Sequence, residues 1–200
     1  MNLDTTFRPL VVAGFLLIML IGIPFRVRSQ ATREPLDRRQ EGIAMMIALR
    51  LAGFALWAAA IAFMISPASM AWASLPFPAW LRWSGAGLGA ITPLLLFWTL
   101  RSLGPNLTDT VVTREAHTLV TRGPYRWVRH PFYDCMAFFT LSLGLMAANW
   151  FVLGAGVLVF GLLAVRSRTE EAKLLERFGE PYRAYRASTG RFVPGVGRVA

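Results

Sequence analysis

Two short stretches of this chain concentrate the residues that can do chemistry. The first is Tyr125-Arg126-Trp127-Val128-Arg129-His130-Pro131-Phe132-Tyr133, with His117 upstream of it. The second is Arg166-Ser167-Arg168-Thr169-Glu170-Glu171. On a helix, Arg166 and Glu170 are four apart and share a face. One end of that face suits an anion; the other suits a cation or ribose hydroxyls. Pro131 lets a helix begin directly after His130. His130 and Tyr133 then sit three apart, side by side at a helix N-terminus. Such a set can bind and align charged groups. One cysteine, Cys135, excludes an intramolecular disulfide framework, and with two histidines leaves little for a zinc site, so no metal is expected.

The elements that must position these residues are written in the composition. Of 200 residues, 55% are hydrophobic and only 16% charged, which excludes a disordered chain and argues against an ordinary soluble domain. A bilayer core needs roughly 20 helical residues to cross it. Apolar runs of that kind cover Pro9 to Phe25, ending at Pro24, then Ile43 to Ile65, and Trp80 to Leu100. Two more, about 132–148 and 150–165, are separated by Asn149 and read as a tight helical hairpin. Gly144, Gly154, Gly156 and Gly161 suit close helix approach there. The first run is not a cleaved signal, because its positive charges, Arg26 and Arg28, follow it. From Arg166 the chain is polar and helical. Leu174, Phe178, Tyr182 and Tyr185 fall near one face, read as packing, with a break at Gly179 and a restart at Pro181.

The net charge of +10 must be read by position. Residues 26–42 hold five basic residues, 101–131 hold five and 166–200 hold eight, while 66–79 and the turn at Asn149 hold none. With five helices, all three basic segments lie on one side. The positive-inside rule makes that side the cytoplasm and puts the N-terminus outside. The charge therefore reflects topology and anionic lipid, not nucleic acid. Arg50, inside the second span, is read as snorkelling to the interface, with a place in a substrate cavity as the alternative. The expected fold is all-α and integral to the inner membrane, with about five transmembrane helices and a C-terminal cytoplasmic amphipathic helix. No Rossmann domain is expected. Residues 1–200 are read as one domain, three helices over 1–100 and the chemistry over 101–200. The hairpin returns residues 131 and 166 to one membrane face, so both stretches can line one pocket.

The segment from His117 through Tyr125 and His130 to Tyr133 resembles the isoprenylcysteine carboxyl methyltransferase family of membrane enzymes. So does Arg166 to Leu175, followed by Phe178-Gly-Glu-Pro-Tyr182-Arg-Ala-Tyr185. The resemblance covers about residues 101–194. It implies a methyltransferase that uses S-adenosylmethionine and acts on a lipophilic small-molecule or lipidated substrate. By motif position, His117, Thr118, Leu119, Val120, Tyr125, His130, Pro131, Phe132 and Tyr133 would line the cofactor. Glu170 would also bind it, and Arg166 would hold the substrate's anionic group. The chain departs from the family at Cys135, where a glycine is frequent, with Asp134 beside it. Thr110 stands where an upstream polar cofactor contact aligns.

A carboxylate acceptor is already ionised at pH 7 and needs no general base, whereas an amine or thiol needs deprotonation. The stretches hold no dedicated base, which favours an anionic acceptor. Alternatives are a phospholipid amine or thiol methyltransferase, a sterol-reductase-like enzyme using NADPH at a similar Arg-His-Pro motif, and an inactive membrane scaffold. Glu170 is favoured over Glu171 for function. Lateral access from lipid between helices is the expected route for the acceptor.

Overall fold

The computed structural model describes residues 3–30, 42–104 and 118–198. Six α-helices follow one another: α1 (Leu3–Gln30), α2 (Ile43–Ile65), α3 (Ala79–Leu103), α4 (Pro131–Ala147), α5 (Trp150–Phe178) and α6 (Glu180–Ser188). Short 3-10 turns occupy Pro67–Ala73 and Gly123–Arg126. Among the described residues, only two isolated β-bridges interrupt this all-helical picture. Four helices, α1, α2, α3 and α5, are long and apolar enough to cross a membrane. The apolar α4 has 17 residues, about the shortest length that spans a hydrocarbon core.

α1, α3 and α5 overrun the apolar runs that announce them. Pro9 and Pro24 both lie inside α1, so the helix does not stop at Pro24. A proline removes one hydrogen bond of the helix. Abandoning the helix in lipid would expose several backbone groups, so the helix continues. Pro93 inside α3 is tolerated in the same way. The segment between α1 and α2 therefore starts inside a helix, and residues 31–41 lie outside the described part. α5, at 29 residues, is about 43 Å long at 1.5 Å per residue. A core of about 30 Å takes up about 20 of these residues, so the polar last turns of α5 extend beyond it. Gly179, at φ 57°, ends α5 and starts α6, a break only glycine makes cheaply.

Small residues set the spacing of α3, α4 and α5. A Cβ on Gly85 would fall 2.7 Å from Leu145 Cβ, and one on Gly89 2.6 Å from Ser142 Oγ. Ser142 Oγ donates to the Gly85 carbonyl at 2.8 Å across this contact. Gly144 abuts Leu153, and Gly156 abuts Thr140. Gly154 and Gly161 meet nothing within 4 Å, so they are not packing glycines. Periodicity marks small residues but not which face meets a neighbour. Buried Asn149 ends the hairpin turn. Its side chain accepts from Val152 N at 3.1 Å and donates to the Met70 carbonyl at 3.1 Å. It thus caps α5 and pins the Pro67–Ala73 turn at once.

Arg50 is exposed on α2. Exposure on the helix surface is compatible with the snorkelling reading. Arg82 of α3 is buried instead. It donates to the Met146 carbonyl at 2.8 Å and pairs with Asp4 at 2.8 Å.

Candidate active site

The hairpin α4–α5 fixes the geometry of the site. α4 starts at Pro131, immediately after His130, and α5 runs back past the same level. The chain reaches His130 through the turn Gly123–Arg126. Gly123 adopts φ 62°, and a Cβ there would meet the Ser102 side chain and Trp98 Nε1. Only glycine permits both that backbone and that contact. The stretch is thereby seated on the end of α3, where Trp98 and Trp127 meet edge to face at 5.4 Å.

Four side chains then converge. Tyr133 Oη donates to Glu170 Oε1 at 2.5 Å. Arg166 Nε lies 3.2 Å from the same oxygen. His130 Nδ1 lies 3.6 Å from Glu170 Oε2. The His130 and Tyr133 rings stack at 5.4 Å with an 11° tilt. These are the residues the two motifs singled out, and the fold brings them onto one carboxylate. The Glu170 side chain keeps 18% of its surface accessible, so the carboxylate is reachable.

The neighbouring Glu171 does something else. It is 3% exposed and accepts from Arg129 Nε at 2.9 Å, His130 Nε2 at 3.1 Å and Arg191 Nη2 at 2.8 Å. Arg129, also buried, donates onward to the carbonyls of Thr189, Arg186 and Gly197. Backbone bonds from Arg129 N to Gly190 O (2.8 Å) and His130 N to Arg191 O (3.2 Å) run beside it. This network ties the segment before α4, the extension of α5 and the chain after α6 into one unit. A buried charge needs partners, and each charge here has several. His130 sits between the two glutamates, so Glu171 fixes the ring and leaves Nδ1 on the Glu170 side.

Phe192, carried by the segment after α6, approaches the His130 ring (5.6 Å) and Phe160 of α5 (5.3 Å). Tyr185 Oη donates to the Tyr125 carbonyl at 2.5 Å. Burial, then Tyr185 beside it, raises the Tyr125 phenol well above its ordinary value. Burial does the same to Tyr182 and Tyr185. All three are neutral at physiological pH and serve as packing groups, and Tyr185 is also a donor.

The other sequence-predicted residues fall differently. Tyr125 and Pro131 are buried, Pro131 as the first residue of α4. Phe132 packs against the helix-bundle core. Thr118 is exposed, and Leu119 and Val120 are half-buried, in the non-helical stretch before Gly123. His117 and Thr110 lie outside the described residues. Sequence reasoning passed over Arg129 and Arg191 as partners of Glu171. One signal was available: if Glu170 shares the Arg166 face, Glu171 lies about 100° around a helix and requires its own cation. Among the described residues, no group of three or more His, Cys, Asp or Glu could hold a metal ion.

The fold and the site define a membrane enzyme-like bundle with its ionisable residues gathered at one end. Residues 86–176 match the model of the isoprenylcysteine carboxyl methyltransferase (ICMT) family. That stretch contains the α4–α5 turn and both motifs. It is 29% identical to a protein-S-isoprenylcysteine O-methyltransferase of Dictyostelium discoideum, over 58% of this chain and 50% of that one. It is 30% identical to the human protein of that name, over 62% and 46%. It is 35% identical to the cobalt-zinc-cadmium resistance protein CzcN of Cupriavidus metallidurans, over 56% and 54%. The chain thus spans about half the length of these curated relatives. In fold it resembles a solved structure of the eukaryotic intramembrane Ras methyltransferase ICMT, with a TM-score of 0.56 and 18% identity. That likeness covers 95% of this chain and 64% of the other. With its apolar helices, the chain is an integral, multi-pass membrane protein.

Proposed function

We propose that this protein transfers a methyl group from S-adenosylmethionine to the carboxylate of a lipophilic acceptor, an isoprenylcysteine or a close analogue, at the cytoplasmic face of the membrane. The observation that carries the reading is the convergence of His130, Tyr133 and Arg166 on a single accessible carboxylate, Glu170. The donor set fits the cofactor: Glu170 is an anion within reach of solvent, suited to hydroxyl or ammonium groups, and a stacked His130–Tyr133 pair offers an aromatic wall. When bound, S-adenosylmethionine supplies a methyl group on a cationic sulfur.

The roles of this chain's residues follow from charge and position. Tyr133 Oη and the His130 ring hold the Glu170 carboxylate in one orientation, and Glu171 holds His130. Arg166 attracts the acceptor carboxylate and orients it. Its pairing with Glu170 shares out the guanidinium charge, so the acceptor keeps its nucleophilicity. The acceptor is ionised at pH 7 and no residue has to remove a proton. Alignment of the two reactants then supplies the larger part of the acceleration. Thr118, Leu119, Val120 and Tyr125 belong to the cofactor side of this reading, and His117 joins them by motif position. The basic segments favour a cytoplasmic location for this end of the bundle and an outside location for the Leu3 end of α1.

The test is a transfer assay with S-adenosylmethionine labelled at the methyl group and S-farnesylcysteine as acceptor. The expected product is a base-labile methyl ester, absent when the acceptor carboxylate is already esterified. Label in an amine or thiol, or no transfer by folded protein, would overturn the assignment of a carboxylate acceptor.

A further inference from the structure

The opposite end of the bundle carries a cleft that the proposed activity does not use. It has a volume of about 940 Å³ and is walled by the start of α1, the end of α2, the Pro67–Ala73 turn and the α4–α5 turn. That volume lies within the range of small-molecule sites, about 300–1,000 Å³. From Asn149, which lines it, to Arg166 is about 25 Å along α5 at 1.5 Å per residue. It therefore belongs to the other membrane face and is independent of the methyltransferase reading.

Two features specify an occupant. The first is charge. Among the described residues this end holds only two basic side chains, Arg8 and Arg82, and both line this one cleft. The positive-inside rule makes basic residues sparse on this side, so two in one cleft are distinctive. Asp4 pairs with Arg82. Arg8 donates to the Met64 and Ile65 carbonyls at 2.6 and 2.8 Å and is itself exposed. The cleft thus has a surplus of one positive charge, flanked by the hydroxyls of Ser66 and Ser74.

The second feature is the wall below that charge. Arg8, Val12, Ala13 and Leu16 fall on one stripe of α1. α1 packs mainly on α3 and α4, whereas α2 packs mainly on α5. α1 and α2 touch at Arg8 with Met64 and Ile65 and at Phe15 with Trp57, and the stripe runs down the outer side of this seam with Leu16 59% exposed. A cationic, hydroxyl-flanked rim at headgroup depth above an apolar trough fits an amphiphile with an anionic head. We infer that this cleft is a binding site for an anionic phospholipid of that leaflet, its phosphate at Arg8 and an acyl chain along Val12, Ala13 and Leu16.

The test is native mass spectrometry and thermal unfolding of the detergent-purified full chain. The probes are dioleoyl-phosphatidylglycerol, dioleoyl-phosphatidylcholine and inorganic phosphate. The expected result is at least tenfold better retention of phosphatidylglycerol than of phosphatidylcholine, with a rise in unfolding temperature, and no shift with inorganic phosphate. Ala13→Trp, which fills the trough, and Arg8→Gln should each abolish the preference. Ala68→Trp fills the cleft from the turn side and replaces Ala13→Trp should that variant misfold, judged by its lipid-free unfolding temperature. Equal retention of the two lipids, or a preference that survives a folded trough-filling variant, would overturn the proposal. An equal shift with inorganic phosphate would reduce the cleft to an anion site and overturn the lipid assignment.

Discussion

The two ends of this helix bundle handle buried arginine differently. At the end that carries the motifs, Arg129 meets the buried carboxylate of Glu171 and three backbone carbonyls after residue 185, so distant segments are joined through charge. At the other end, Arg82 meets one partly exposed carboxylate, Asp4, one carbonyl, and the Phe7 ring at 4.5 Å. The first arrangement immobilises His130 beside an accessible Glu170. The second braces three helix ends and leaves a cleft open to lipid. The network at the motif end holds the His130 ring in place; the sparser bracing opposite requires much less polar chain.

The adjacent glutamates repeat this contrast at the scale of one helix turn. Glu171 is buried among cations and Glu170 is more exposed; in the proposed reading, substituting each separates folding from binding. The largest effect is expected for Glu171→Ala, which strands Arg129 and Arg191. Losing one partner of a buried ion pair costs about 3–5 kcal/mol, and a fall in unfolding temperature in detergent would register it. An unchanged unfolding temperature would refute the structural role given to Glu171. Next comes Arg166→Ala. Truncating one side of a charge pair with the acceptor costs about 2–5 kcal/mol, so kcat/KM for a carboxylate acceptor should fall at least 30-fold. The affinity for S-adenosylhomocysteine should change far less. A loss confined to cofactor affinity would reassign Arg166.

Smaller effects are expected away from the motif cluster. Asn149→Ala removes the α5 cap and the bond to Met70, for a loss of about 1–2 kcal/mol. Its unfolding temperature should drop while cofactor affinity holds. Arg50→Gln should move stability by less than about 0.5 kcal/mol and leave turnover intact. A marked loss of turnover there would restore Arg50 to the substrate cavity.

Much of the frame was legible because lipid imposes a simple rule on sequence. The bounds of α2 coincide with the apolar run from Ile43 to Ile65, and the hairpin turn sits at Asn149. Composition marks where a helix meets lipid but not where it stops, so Pro24 was read as an end that α1 passes through. Glycine spacing did not distinguish Gly156, which meets Thr140, from Gly161, which meets nothing within 4 Å. At the site, the four-residue spacing put Arg166 and Glu170 on one helix face; that they pair with each other there is a further finding. The link from Glu171 to Arg191 was not legible, because it depends on the chain turning back at Gly179 and again after Ser188. Local spacing reports a helix face; it does not report what a later segment brings to that face.

The most direct measurement is calorimetric titration of S-adenosylhomocysteine and of NADPH into the purified protein, into Glu170→Ala and into His130→Ala. The account predicts binding of S-adenosylhomocysteine alone. Glu170→Ala should weaken it by roughly 10- to 100-fold, the worth of a hydrogen bond to a charged group, and His130→Ala should also weaken it, with Glu170→Ala keeping the unfolding temperature of the unsubstituted protein. Undiminished binding in both variants, or binding of NADPH in place of S-adenosylhomocysteine, would contradict it.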